Sequence, residues 1–146
     1  MQEHKYLSPF EARTYDETMA LLVQAKFYEN YSKPDETLAH NPFDRLSVVR
    51  ESIRVTSRLG HVMAWLLYRK AVGAGELEEA ETLRRQDSLD DVDITTDNSF
   101  HKSPIIPKGL RALLEESLSL YMCVARIDRN IRDESQPFFS NDFAMN

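Results

Sequence analysis

The feature that most constrains the fold of this chain is one long stretch, residues 42–72, that contains nothing to stop a helix. It opens with Asn41 and Pro42, a typical helix start, because asparagine caps the first turn and proline is tolerated as the first helical residue. No further proline occurs within the stretch, and the glycines that end the predicted helix come at Gly73 and Gly75. The stretch therefore predicts one helix of about 30 residues, or about 45 Å.

The apolar residues of this helix fall on two stripes instead of one, which is unusual for a helix at a protein surface. The first stripe consists of Leu46, Val49, Ile53, Gly60, Met63, Ala64 and Leu67. The second consists of Val48, Val55, Leu59, Val62 and Leu66. Because each stripe needs its own packing partner, the pattern predicts a helix at the centre of a bundle or of a dimer.

Two further long helices are predicted on either side of this one. Ser8 followed by Glu11 three residues later forms a capping box, in which each residue bonds the backbone of the other, and predicts a helix over residues 9–31. Pro107 opens a third helix over residues 107–134. Both helices carry apolar residues at helical spacing, and the third carries more of them than one face can hold.

The small number of turn residues decides the fold class. The chain has 146 residues with four glycines and six prolines, too few for the many turns of a sandwich, a barrel or a Rossmann sheet. We expect one all-α domain over residues 1–146, an antiparallel three-helix bundle that forms a homodimer. Residues 135–146 form a tail whose pattern is too short and broken to assign.

The connection between the second and third long helices differs in composition from the rest of the chain. Residues 76–98 hold nine acidic residues against Arg84 and Arg85, a net charge of −7, so that the total of −6 leaves +1 for everything else. We expect a short helix over residues 76–86 and a mobile acidic loop over residues 87–103. The overall negative charge disfavours a general binder of nucleic acid or of anionic membranes.

Residues that could carry enzyme chemistry do not form a recognisable set. The single cysteine, Cys123, has no histidine partner and is expected to be a packed thiol, and no Glu-x-x-His pair or phosphate-binding glycine loop occurs. We expect no catalytic residues, cofactor or metal. Of four histidines, His61 is the one expected to be buried. No stretch has the roughly 18 apolar residues of a membrane helix, and no signal peptide begins the chain, so we expect a cytoplasmic protein.

Rows of arginines are the sharpest local feature, spaced three or four residues apart on the second and third long helices. Such rows can hold carboxylates or phosphates by bidentate pairing, or they can form a solvated face paired with nearby acids. Together with the acidic loop they define a candidate partner-binding surface: Arg50, Arg54, Arg58, Arg69, Arg126, Arg129, Asp87, Asp90, Asp91 and Asp93. The surplus apolar residues define a candidate dimer interface: Leu118, Leu120, Val62, Trp65 and Leu66.

The amino-acid sequence of the second helix also resembles that of a known family. Residues 51–59 and 65–72, followed by Gly75 and Glu76, are similar to the signature of an alphaproteobacterial family first catalogued as a domain of unknown function. That family is known for the regulator of CtrA degradation, RcdA. Further similar pieces follow in order, at residues 14–22 in the first helix and after Pro107 in the third, so that the resemblance covers nearly all of residues 10–130.

The resemblance implies a non-enzymatic homodimer of three-helix bundles that acts as an adaptor for the ClpXP protease. Its implied partners are the protease machinery, a response-regulator-like adaptor, a cyclic di-GMP-binding adaptor and substrate proteins, with cell-cycle regulators such as CtrA among the substrates. Concentration at a cell pole through these partners is implied as well.

Two other functions remain open from the residues themselves. A small helical dimer with several arginines is similar to the helical type of chorismate mutase, which neutralises a dicarboxylate with basic side chains. A transcription-associated regulator would instead need a positive helix that faces a DNA groove. Offering chorismate, or DNA, to the protein separates these functions from that of an adaptor.

Overall fold

A computed structural model describes residues 4–31, 42–86, 88–89 and 103–135 of the chain. Every regular element in these ranges is a helix, which confirms the all-α prediction. The four helices are α1 (Pro9–Tyr31), α2 (Pro42–Gly73), α3 (Glu79–Arg85) and α4 (Lys108–Ser135). Most of the predicted acidic loop, and the predicted tail after Ser135, lie outside the described residues.

The ends of the helices follow from a few local interactions. At the start of α1, the Glu11 amide donates to Ser8 Oγ at 3.2 Å and the Ser8 amide donates to Glu11 Oε1 at 2.9 Å, which is the capping box. At the end of α2, Gly75 adopts a φ of +75°, a left-handed conformation that glycine accepts without strain. The Glu76 amide then donates to the Ala71 carbonyl at 3.0 Å and closes the helix.

Contacts between the helices define the direction in which each one runs. The start of α1 lies at the end of α2, because Arg69 pairs with Glu11 and a Cβ on Gly73 would overlap the carbonyl oxygen of Tyr6. Hence α1 and α2 run in opposite directions.

The direction of α4 corrects the antiparallel arrangement that was expected of neighbouring helices. Arg58 of α2 contacts Leu114 of α4, and Trp65, one heptad later in α2, contacts Asp128, also later in α4. Positions therefore advance together, and α2 and α4 run in the same direction. The physical reason is the length of the connection between them, since the 34 residues between Gly73 and Lys108 can return the chain to the starting end.

The core lies where α1, α2 and α4 meet, and each of these helices packs against the other two. Its fully buried side chains come mainly from α2 and α4, and they are listed here: Val55, Leu59, Val62, Leu66, Leu110, Leu114, Tyr121 and Val124. Leu21 and Ala25 complete it from α1. This core uses the second of the two apolar stripes of α2 and leaves the first one outside.

Candidate functional site

The face of α2 that packs into the core carries charged side chains as well as apolar ones. Arg58 is fully buried, and its Nη1 donates to the carbonyl oxygen of Leu114 at 3.0 Å and to Ser117 Oγ at 3.4 Å. One turn earlier, Arg54 is buried and its Nε donates to Oε2 of the buried Glu51 at 3.0 Å. Charged groups are tolerated in a protein interior when they are paired and hydrogen-bonded in this way.

These positions correct part of the predicted partner-binding surface. Arg54 and Arg58 were expected to present guanidinium groups to a partner or to solvent, and neither does, because both point into the chain's own interior. The long stem of arginine packs against apolar neighbours while its head reaches a carbonyl or carboxylate. The four-residue spacing does place Arg54 and Arg58 on one face of α2, but that face is the one that packs into the core.

Three other arginines of the predicted surface lie on α2 and α4. Arg126 and Arg129 lie exposed on α4, and Arg50 is half exposed on α2, with its Nε 3.4 Å from Glu51 Oε1. The four aspartates, at positions 87, 90, 91 and 93, lie outside the described residues. The arginines of this set that the structure describes therefore lie on two different helices.

Arg69 is part of a charged group that ties α1, α2 and α3 together. Its Nε donates to Glu11 Oε2 at 3.1 Å, and its Nη1 donates to Glu79 Oε1 at 2.8 Å. Partial burial alone would lower the pKa of Arg69, but the hydrogen bonds with Glu79 and Glu11 outweigh it and raise that pKa above its ordinary value. Arg69 is therefore a structural cation and makes a poor anion-binding group.

A second buried polar cluster lies between the later halves of α2 and α4. The carboxylate of Asp128 is almost fully buried and accepts from Trp65 Nε1 at 3.2 Å, Arg132 Nε at 3.0 Å and the Leu89 amide at 3.3 Å. The hydroxyl of Tyr121 donates to the Leu89 carbonyl oxygen at 2.6 Å. Leu89 was predicted within a mobile loop; here it belongs to the core, because a buried apolar side chain and two backbone bonds hold it.

The predicted dimer interface is wrong at four of its five positions. Val62, Trp65, Leu66 and Leu120 are buried within the single chain, so they offer no surface to a second copy. Leu118 is half-buried. The helices of these residues carry more apolar side chains than one face needs, but the surplus lies on another face.

The surplus lies on the side of α2 that faces away from the core. We call it the outer stripe and define it as Leu46, Val49, Ile53, Gly60, Ala64 and Leu67, all exposed. Leu46 is 65% exposed, Ile53 59% and Leu67 54%. Positions 46, 53, 60 and 67 repeat every seven residues, the spacing that keeps one seam of a helix facing a partner helix.

The surroundings of the outer stripe are open and basic. A Cβ placed on Gly60 would meet nothing within 4 Å, so another chain can approach the backbone there. By helical register the stripe is bordered by Arg45, Arg50 and Lys70, whereas the acidic residues Asp44 and Glu51 lie towards the core. The sequence contained the signal for this surface in the first stripe.

The remaining candidates for chemistry are isolated. His61 was expected to be buried; it is exposed, with its ring edge-on to Tyr121 at a centroid distance of 6.5 Å. Cys123 is half-buried. Across the described part of the chain, no three His, Cys, Asp or Glu side chains form a group that could hold a metal ion. The same ranges contain no helix with the length and hydropathy needed to cross a membrane.

Comparisons with known proteins give a family but no activity. A family model described as "Protein of unknown function (DUF1465)" matches residues 3–143, nearly the whole chain. No curated protein and no solved structure matches the chain.

Proposed function

The chain belongs to the DUF1465 family of proteins of unknown function, and we propose that it is a non-enzymatic adaptor that works as a homodimer. Its proposed role is to promote the degradation of cell-cycle regulators such as CtrA by the ClpXP protease. The similarity of residues 51–59 and 65–72 to the RcdA family supports this role. The exposed surfaces of the molecule support a more general part of the proposal, that the protein acts by binding other proteins.

The outer stripe of α2 is the observation that carries the proposal. Leu46, Ile53 and Leu67 are each more than half exposed on one face of one helix. A row of large apolar side chains in water is unfavourable, and such rows on soluble proteins mark sites of protein contact. The seven-residue spacing suits a second long helix, so we assign this face to self-association, in place of Leu118 and Leu120.

Charged surfaces outside the stripe are proposed to contact other proteins. Arg126 and Arg129 are exposed on α4, and the acidic residues 76–98 follow α2 in the chain. Charges of this kind speed the encounter of partners more than they set the final affinity. Bound at once to a substrate and to the protease machinery, the dimer would raise the local concentration of substrate without any chemistry.

A reconstituted degradation reaction tests the proposal. It contains the ClpX unfoldase, the ClpP peptidase, a response-regulator-like adaptor, a cyclic di-GMP-binding adaptor and CtrA, with and without this protein. We expect faster loss of CtrA with the wild type. Equal rates with and without it would contradict the proposed role.

A matched pair of variants links the reaction to the outer stripe. Ile53→Glu places a charge on the stripe, whereas Met122→Glu makes the same kind of change on α4 at a side chain that is 50% exposed. We expect Ile53→Glu to lower the rate of CtrA loss and Met122→Glu to keep it. If both variants match the wild type, the outer stripe has no part in the function.

A further inference from the structure

Leu89 is held in the way that proteins hold a bound peptide. Its side chain is only 2% exposed, whereas Ser88 and Gln86 are half-buried and Arg84 and Arg85 are exposed. One side chain of this segment is thus inserted as an anchor, and its neighbours stay near the surface. Single apolar anchors of this kind are a common feature of extended peptides in protein grooves.

The backbone of Leu89 is recognised as well as its side chain. Its amide donates to Asp128 Oδ2 at 3.3 Å, and its carbonyl oxygen accepts from the Tyr121 hydroxyl at 2.6 Å. Both groups that bind the backbone are side chains of α4, about two turns apart. A binding site that reads a backbone amide, a backbone carbonyl and one side chain needs no particular neighbouring sequence.

The site is built by residues that hold one another in place. Asp128 also accepts from Trp65 Nε1 and from Arg132 Nε, so two of its three donors remain when Leu89 is removed. Arg132 in turn donates to the carbonyl oxygens of Leu83 at 3.2 Å and Gln86 at 2.8 Å. These bonds place the guanidinium at the end of α3, where its charge suits the free carbonyl groups of a helix.

We propose that this cleft between α2 and α4 is a peptide-binding site that the chain fills with its own Leu89. Its ligand is an extended peptide with a leucine-sized side chain and a free backbone amide and carbonyl. An empty cleft would cost the buried Tyr121 hydroxyl its bond to the Leu89 carbonyl oxygen and the buried Asp128 carboxylate one of its three donors, which is unfavourable. A second peptide of this kind replaces each lost bond, so the two can exchange. The inference stands on these contacts and does not depend on the proposed function.

The single tryptophan of the chain gives a direct measurement, because Trp65 bonds Asp128 at the wall of the cleft. The experiment uses full-length Leu89→Ala, with the wild type as control, and a synthetic peptide of residues 83–91. Trp65 emission is recorded as the peptide is added. We expect a saturable change with Leu89→Ala, and binding to the wild type at least about tenfold weaker, because its cleft is already filled.

A second peptide in which alanine replaces the leucine tests the anchor. We expect the alanine peptide to bind the Leu89→Ala variant at least about tenfold more weakly than the leucine peptide does, since most of the buried apolar area is lost. A folded Leu89→Ala variant that shows no saturable response to the leucine peptide would overturn the proposal. Equal binding of the two peptides would overturn it too.

Hydrogen exchange in the wild type tests the proposal without any substitution. If Leu89 can leave the cleft while the helices stay folded, its amide exchanges by local opening, at least about tenfold faster than the core amides of α4. An amide of Leu89 that exchanges as slowly as the amide of Val124 would show that the segment leaves only when the whole protein unfolds. That result would contradict a cleft that can change occupant.

Discussion

The two faces of α2 differ from those of a helix with a single apolar stripe, which buries apolar side chains and exposes charged ones. Its inner face buries Glu51, Arg54 and Arg58 among apolar residues, and its outer face exposes Leu46 and Ile53 to water. Each face carries an unfavourable feature in isolation. The inner one is compensated within the chain, because Arg58 bonds a carbonyl of α4 and Arg54 bonds Glu51.

The outer face has no such compensation among the residues that the structure describes. Its large apolar residues lie opposite the core, and Gly60 leaves open space at the middle of the row. Buried charges and exposed apolar residues therefore have different roles on the same helix. The buried charges belong to the fold of one chain, and the exposed apolar row is the surface that we propose joins two copies.

Breaking the inner face should have the largest effect on stability. Arg58→Ala removes a fully buried side chain and leaves the Leu114 carbonyl and Ser117 without this donor. We expect the free energy of unfolding in urea to fall by about 3–5 kcal/mol. Arg126→Ala, an exposed arginine on α4, serves as the control and should change it by less than about 0.5 kcal/mol. A similar small loss for both variants would mean that the inner charges do not stabilise the fold.

The Asp128 cluster should come next. Asp128→Asn keeps the shape but turns an NH₂ group either towards Trp65 Nε1 or towards both the Leu89 amide and Arg132 Nε. We expect a loss of about 1–3 kcal/mol in urea unfolding, with a change in Trp65 emission of the folded protein. Unchanged stability together with unchanged emission would show that the carboxylate does not organise this part of the core.

A smaller loss is expected where α1 meets α2. Glu11→Ala removes the acceptor of the Ser8 amide in the capping box and the pair with Arg69, for a loss of about 1–2 kcal/mol. Glu79→Ala removes only the more exposed partner of Arg69 and should cost about 0.5 kcal/mol or less. Equal losses for the two variants would assign the effect to the charge of Arg69 instead of the cap.

The ion pairs of Arg69 also predict how the cost of Glu11→Ala varies with pH, which thermal unfolding can measure. Hydrogen bonds with Glu79 and Glu11 outweigh burial and raise the pKa of Arg69 in the folded state. The stability gained is therefore fully present below the ordinary arginine pKa and is lost only as pH rises through the raised one. The cost of Glu11→Ala should stay constant from neutral to moderately alkaline pH. A cost that shrinks over that interval would contradict the assignment.

Substitution on the outer stripe should have the smallest effect on the fold. Leu67→Ser alters a side chain that is 54% exposed. In dilute solution, where a single chain is studied, we expect the free energy of unfolding to change by less than about 0.5 kcal/mol. A loss above about 2 kcal/mol would mean that Leu67 packs within its own chain.

The sequence was informative about where helices begin and about the two stripes of α2. The serine and glutamate at the start of α1 and the glycines at the end of α2 are local signals, and local interactions realise them. The local sequence pattern does not show which of the two stripes of α2 lies inside. Arg58 is inside because its hydrogen-bond partners, 56 and 59 residues away, are carried by α4.

Two further features depended on distant parts of the chain. The parallel direction of α4 is shown by its contacts with α2 and is permitted by the length of the connection, and neither can be read from a periodicity within α4. The burial of Leu89 follows from Asp128 and Tyr121, about 30 to 40 residues later, and not from its polar neighbours in sequence. The candidate dimer interface failed for the same reason, since residues such as Val62 and Leu66 were already used by the core.

Sedimentation equilibrium of the wild type and of Ile53→Glu tests the central claim, that the outer stripe joins two copies of the chain. We expect the wild type to sediment as a dimer, Ile53→Glu as a folded monomer, and Met122→Glu as a dimer like the wild type. A wild type that is monomeric at every concentration, or an Ile53→Glu variant that remains fully dimeric, would contradict the account.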